Sequence, residues 1–168
     1  YAFELHDPYP LAEQCAVALR PNADQQHLTF MLEKPESSLP QVSIDPAKLV
    51  IALQNIMDNA IRYTKSGGRV SIRLTRDTDM LLYIVEDNGI GVPTRDQKFI
   101  FNKLFRAANA IKFQTEGSGL GLYIAKNIIE KHNGSITFTS EEGRGSTFVV
   151  RLPLDPQKMP KGIVEGVA

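Results

Sequence analysis

Met80-Leu81-Leu82-Tyr83-Ile84-Val85-Glu86-Asp87-Asn88-Gly89-Ile90-Gly91 begins with a run, Met80 to Val85, that is apolar at both parities. A strand exposed on one face would alternate, so this one is expected to be covered on both sides and to lie centrally in a sheet. Asp87-Asn88-Gly89 ends it. Immediately before it, Val70, Ile72 and Leu74 alternate with Arg69, Ser71, Arg73 and Thr75, which predicts a half-buried strand, joined by a turn at 76–79. Well after it, Ile136 and Phe138 mark a strand, Glu141 to Gly145 a turn, and Phe148, Val150 and Leu152 the returning strand. A further strand is expected over 27–33, with Leu28, Phe30 and Leu32 on one side.

Helical spacing places the other layer. Leu11, Cys15, Ala18 and Leu19 predict a short amphipathic helix over 9–20. Asp45-Pro46 is a helix start, with Asp45 free to cap and Pro46 suited to the first position. Leu49, Leu53, Ile56, Met57 and Ala60 continue that helix to about Thr64, before Ser66-Gly67-Gly68. Leu120, Ile124, Ala125, Ile128 and Ile129 predict a helix over 120–132, ended by Asn133-Gly134. Thr94-Arg95-Asp96-Gln97 has the form of a capping box for a short helix to about Phe101, and the aperiodic 107–116 reads as a mobile loop. The expectation is an α+β, two-layer sandwich: a mixed, mostly antiparallel sheet covered on one face by helices. One domain over 1–155 and a flexible tail over 156–168, with Pro156, Pro160, Gly162 and Gly166, complete it.

Composition narrows the function. The 168 residues are 42% hydrophobic and 23% charged, ordinary globular values that exclude wholesale disorder. Nineteen basic side chains balance nineteen acidic ones, so no global positive field exists to hold a nucleic acid. The single cysteine, Cys15, excludes an intramolecular disulfide and a zinc finger, and its apolar neighbours mark it as core. Apolar runs are too short to span a bilayer, so no membrane contact is expected of this segment. The chain opens at Tyr1-Ala2-Phe3 without methionine and reads as a piece of a longer protein.

Three places carry chemistry. Asn55 and Asn59 stand one helical turn apart, with Arg62 and Tyr63 continuing their face. Asparagine is only a middling helix former. The pair is either solvated surface, with Asp58 and Arg62 in an ordinary i,i+4 ion pair, or a site where the Asn59 amide oxygen ligates a hard cation beside phosphate oxygens. Asp87 ends the central strand. It either opens a simple turn or places at a pocket floor an acceptor matched to the exocyclic amine of adenine and mismatched to the carbonyl of guanine. Gly117-Ser118-Gly119-Leu120-Gly121-Leu122 runs straight into a helix. It has neither dinucleotide nor P-loop spacing, yet glycines at a helix entrance expose N–H groups to phosphate. A plain glycine hinge is the alternative. Phe101, Phe105 and Arg106 precede the loop, and Gly143, Gly145 and Thr147 lie in a hairpin turn. His6, His27 and His132 fall in unrelated segments without metal spacing, and His132 reads as a favourable partner for a helix C-terminus.

In order, these pieces resemble the catalytic ATP-binding domain of sensor histidine kinases, in the GHKL ATPase superfamily. Asn55-Ile-Met-Asp-Asn59-Ala60-Ile-Arg62-Tyr63-Thr64 is similar to the family's N box, and Asp87-Asn-Gly89-Ile-Gly91 to its G1 box. Phe101-Asn-Lys-Leu-Phe105-Arg106 resembles the F box, Gly117 to Leu122 the G2 box, and Gly143-Arg-Gly145-Ser-Thr147-Phe148 the last glycine box. The resemblance covers roughly residues 3–154. It implies ATP and Mg²⁺ as cofactors. Asn59 would hold the metal with Asn55 in support, both being catalytic. Arg62 would approach phosphate, and Arg106 would join the nucleotide contacts. Tyr63 would pack on adenine, Asp87 would accept from its amine, and Gly89 and Gly91 would allow close approach. Residues 107–116 would form a lid. Gly117, Ser118, Gly119, Leu120, Gly121 and Leu122 would make its hinge and phosphate cradle, and Thr147 would complete the nucleotide contacts.

The resemblance further implies transfer of the γ-phosphoryl group to a histidine on a separate helical dimerisation domain, then relay to a response regulator. It implies a cytoplasmic domain of a homodimeric parent that can be anchored in the cell membrane. His6 lacks the acceptor pattern. Asn55 stands where clamp-type ATPases of the superfamily place a glutamate, and an amide cannot take a proton from water at neutral pH. That favours phosphoryl transfer over a hydrolysing clamp. A nucleotide-binding module without turnover and a serine-directed kinase of the anti-sigma type are the other readings.

Overall fold

The computed structural model describes residues 1–155. Its elements are β1 (Glu4–His6), α1 (Pro8–Gln25), β2 (Thr29–Leu32), β3 (Val42–Ile44), α2 (Pro46–Arg62) and β4 (Arg69–Asp77). There follow β5 (Met80–Asp87), α3 (Thr94–Gln97), α4 (Ala108–Phe113), α5 (Gly121–Lys131), β6 (Ser135–Glu141) and β7 (Gly145–Pro153). The main sheet has the order β2-β4-β5-β7-β6, so β5 is its middle strand as its sequence requires. Among the described residues only β2 and β4 run parallel, and the other pairs of this sheet are antiparallel. Helices α1, α2 and α5 cover one face, and the two-layer α+β reading holds.

The two faces of β5 are buried in different ways. Leu81, Tyr83 and Val85 point at the helices and are at most 1% exposed. Leu82 and Ile84 point the other way, where Arg151 and Arg73 stand directly opposite them. Long arginine stems shield apolar surface while their heads stay in water, so an apolar outer face needs no second helical layer. The Tyr83 hydroxyl donates to Pro8 O at 3.0 Å and fixes the start of α1 to the central strand.

Asp45 caps α2 through Lys48 N at 3.0 Å, with Pro46 at the first turn. The Lys48 and Ala2 N–H groups hold its carboxyl below the usual carboxylate range. Leu49, Leu53, Ile56 and Met57 are fully buried along α2. α5 ends in a Schellman arrangement: Asn133 takes the left-handed conformation at φ 56°, and Gly134 N reaches Ile129 O at 3.0 Å.

Several expectations are corrected. α1 extends to Gln25 with Pro21 inside it, beyond the point where apolar spacing stops. The small β1–β3 sheet was not foreseen, because three residues are too few to display alternation. No capping box opens α3: Pro93 occupies the cap and Thr94 is already helical. The Gln97 amide instead donates to Val92 O and Ser140 O, at 3.0 Å each. The segment 107–116 is not structureless but contains α4. His132 stands at the C-terminus of α5 as expected, and specific partners hold it there. It is buried, its Nε2 accepts from Asp45 N at 3.0 Å, and its Nδ1 lies 2.7 Å from Ile128 O, so a single neutral tautomer serves both. Burial pushes the Cys15 thiol up to about 12, consistent with a core role. The expected tail at 156–168 lies outside the described residues.

Candidate functional site

One helical face, one strand end and one loop cluster meet around a cavity of about 230 Å³. α2 supplies Asn55, Asp58, Asn59 and Arg62, its C-terminal cap is Tyr63, β5 supplies Asp87, and the following loop supplies Ile90 and Gly91. Arg106, Asn109 and Ala110 close one side, and Gly117, Ser118, Gly119, Gly121 and Leu122 form the entrance of α5. Ser146 and Phe148 of β7 complete the wall.

Asp87 stands on the floor. Its Oδ1 accepts from Gly89 N at 2.8 Å. Burial pushes its carboxyl up to about 6, against the opposing pull of the Gly89 and Ser146 N–H groups. At pH 7 it is therefore charged in roughly ten molecules for each neutral one. The turn beyond it is built without spare room. A Cβ on Gly89 would lie 2.3 Å from Tyr63 O, and one on Gly91 2.0 Å from Glu141 O. Gly89 does not line the cavity; it acts on the site by holding Asp87 and by letting Tyr63 approach.

On α2, Asp58 and Arg62 form the expected i,i+4 pair at 3.0 Å, yet both also line the cavity. The two readings of this helix are thus compatible. The Asn55 amide donates to Ile51 O at 2.8 Å, which turns its oxygen toward α5. A Cβ on Gly121 would lie 2.8 Å from that oxygen, so Gly121 lets the two helices close. Leu120 caps α5 without a side-chain bond and does not line the cavity. The first N–H groups of α5 are consequently not satisfied by a cap and lie where Gly121 and Leu122 meet the cavity.

Arg106 is engaged by the loop it precedes. It donates to Thr115 O at 2.8 Å, to Gln114 O, to Ala110 O at 3.4 Å and to the Tyr63 hydroxyl at 3.4 Å. Its Nε is buried without a partner among the described residues. Gly117 lies over the guanidinium, where a Cβ would be 3.3 Å away.

Thr147, like Gly89 and Leu120, is an expected residue that does not line the cavity. It belongs to the opposite face of β7, beside Glu86 and Thr139 in a shallow groove. Ser146 faces the cavity instead, is 8% exposed, and pairs in register with Asp87. Alternation alone could have shown this, since Ser146 and Phe148 share a side. Asn109 was also missed, and no period in 107–116 marked it. Among the described residues no cluster of three or more His, Cys, Asp or Glu side chains could hold a metal, so a cation here would depend on ligand oxygens.

A mixed sheet under helices, with an acidic floor and an uncapped helix entrance around one cavity, defines a nucleotide-binding domain of the ATPase type. Residues 44–156 match the family described as histidine kinase-, DNA gyrase B- and HSP90-like ATPases, and the chain belongs to it. The chain is 37% identical to sensor histidine kinase WalK of Bacillus subtilis over 131 residues, covering 77% of this chain and 21% of WalK. It superposes on the catalytic domain of histidine kinase ThkA with a TM-score of 0.81 and 25% identity, covering 94% of this chain and 99% of that one. Full-length ShkA in complex with AMPPNP matches with a TM-score of 0.74 and 25% identity, over 92% of this chain and 32% of ShkA. The chain thus spans about a fifth of the length of WalK. No helix among the described residues is long and apolar enough to cross a membrane.

Proposed function

We propose that this chain is the ATP-binding catalytic domain of a two-component sensor histidine kinase, moving the γ-phosphoryl group of ATP to a histidine on a separate helical dimerisation domain of a homodimeric, cytoplasm-facing parent. The observation that carries the reading is the Asp87 carboxyl lining the same cavity as the uncapped entrance of α5. Asp87 accepts from the adenine amine, and Tyr63 and Ile90 flank the base. The α5 entrance, with Gly117, Ser118 and Gly119, receives the phosphates. Arg62 and Arg106 supply positive charge, and the unpartnered Arg106 Nε fits an anion.

Mg²⁺ fits the Asn59 amide oxygen together with phosphate oxygens, and when bound it neutralises charge on the transferred group. Asn55 cannot act as a base, because its amide has no proton affinity at neutral pH. The protein's contribution to transfer is then positioning and charge. The acceptor and the response regulator lie on other parts of the system.

The test is incubation of the protein with γ-labelled ATP and a separately supplied helical domain bearing the acceptor histidine. Acid-labile, base-stable label on that domain is the expected result. Rapid release of free phosphate without it supports a hydrolysing clamp instead, and binding with neither product supports a non-catalytic module.

A further inference from the structure

Asn109 sits on α4, within the segment that joins Arg106 to the α5 entrance, and lines the cavity. Its amide nitrogen donates to Gly91 O at 2.9 Å and to Ile90 O at 3.4 Å. Those two carbonyls fix which end of the amide faces them, because an oxygen turned toward them would be repelled. The other end, Oδ1, is therefore an acceptor. It is buried and has no hydrogen-bond partner among the described residues. A buried acceptor without a donor is unfavourable, and a ligand that brings the donor relieves it.

The placement of Asn109 is built rather than incidental. Asp96 Oδ2 accepts from Ala108 N at 3.1 Å and holds the start of α4. Arg106 grips carbonyls at its end. The two carbonyls that hold the amide belong to the loop that leaves Asp87. An acceptor in that position faces the nucleoside half of a nucleotide. A triphosphate at neutral pH carries acceptors only, so the matching donors are the exocyclic amine of the base and the ribose hydroxyls.

We propose that Asn109 is a specificity-determining residue whose Oδ1 accepts a hydrogen bond from the nucleoside of the bound ATP, making the lid a reader of the ligand as well as a cover. The inference rests on the nucleotide reading of this cavity. It is tested by calorimetric titration of the wild-type protein and of N109L with ATP, 2′-deoxy-ATP, 3′-deoxy-ATP and purine riboside triphosphate, which lacks the amine. Leucine keeps the volume and removes both polar ends.

ATP affinity is expected to fall about three- to tenfold in N109L. One analogue is expected to lose no further affinity on passing from wild type to N109L, and that analogue names the donor; the comparison between proteins also cancels the loss that purine riboside triphosphate suffers at Asp87. A uniform loss across all four ligands would show a purely structural role and overturn the proposal, as would an unchanged ATP affinity. Wild-type protein that binds none of the four would instead overturn the nucleotide reading itself, so the two failures are distinguishable. N109A, with the thermal midpoint recorded, serves if N109L folds poorly.

Discussion

The floor of the cavity and its lid are held in place by different forces. The floor joins β5, β7 and α2 at contacts so close that glycine is required. Gly145 takes φ 118° with a hypothetical Cβ 2.0 Å from Asp87 O, and Gly91 takes φ 61° under Glu141 O. The lid is held by side-chain bonds to backbone carbonyls, chiefly from Arg106 and Asn109, with Leu104, Ile111 and Phe113 exposed around it. Packing of the first kind does not relax without local unfolding. Polar bonds of the second kind exchange with water or with a ligand at little cost. The half that carries Asp87 is therefore rigid before binding, and the half proposed to cover the ligand is held by replaceable bonds.

The largest expected effect breaks the floor. Gly145→Ala combines a left-handed backbone with a clash against main chain that cannot move aside. Strain and overpacking together should cost roughly 3–5 kcal/mol in chemical denaturation. Gly143→Ala, two residues away at φ 82° with open space around it, isolates the strain alone and should cost about 1 kcal/mol. Equal losses at the two positions would show that close approach does not hold the floor.

Next comes the charge on that floor. Asp87→Asn should weaken ATP binding by about tenfold or more. The carboxyl has an ordinary value of 3.8 and is pushed up to about 6 in the folded chain. Its neutral form is thus favoured by folding, so stability should decline as pH rises from about 4 to about 6 and level off above. ATP affinity should run the other way, falling as pH drops through 6, because the protonated acid no longer offers a charged acceptor. Both slopes should flatten in Asp87→Asn. The phosphates titrate equally in both proteins and cancel from the comparison.

The contrast also separates what the sequence discloses from what it conceals. The floor is legible because its cause is periodic. Alternation at Val70, Ile72 and Leu74, an unbroken apolar run at Met80 to Val85, and heptad-like spacing from Leu49 to Ala60 each place an element. The same logic, carried one residue further, would have chosen Ser146 over Thr147. The lid is illegible because its order comes from single polar side chains meeting carbonyls distant in sequence, as Asn109 meets Gly91 and Gln97 meets Ser140. No period records such bonds. The same holds for His132, whose neutral tautomer is set by Asp45, a residue of another helix cap. The five ordered boxes were visible only as a resemblance, and their convergence on one cavity is a property of the fold.

A third prediction concerns the metal side of α2. Asn59→Ala should remove most of the Mg²⁺ dependence of ATP binding, an effect on the order of tenfold, while leaving metal-free binding nearly intact. Titrations of the wild type with and without a chelator supply the reference. If wild-type affinity does not respond to the chelator, Asn59 has no metal to hold. Asp58→Asn should change much less, within about 1 kcal/mol of stability, because its partner Arg62 is about a third exposed.

The smallest effect on stability is expected at Arg106, and it decides whether the lid is independent of the floor. Arg106→Gln removes the cation that grips the Ala110, Gln114 and Thr115 carbonyls. α4 has six residues, too few to persist without tertiary support. Amide exchange over 108–116 should therefore rise sharply in the variant, while β5 and β7 stay protected and global stability shifts by about 1 kcal/mol or less. In the wild type, saturating ATP is proposed to draw the same guanidinium toward phosphate. The exchange pattern of 108–116 should then differ from that of the free protein in a way that Arg106→Gln no longer supports. If exchange in β5 rises together with the lid, the two halves are one cooperative unit, and the rigid floor cannot be credited with selecting the base on its own.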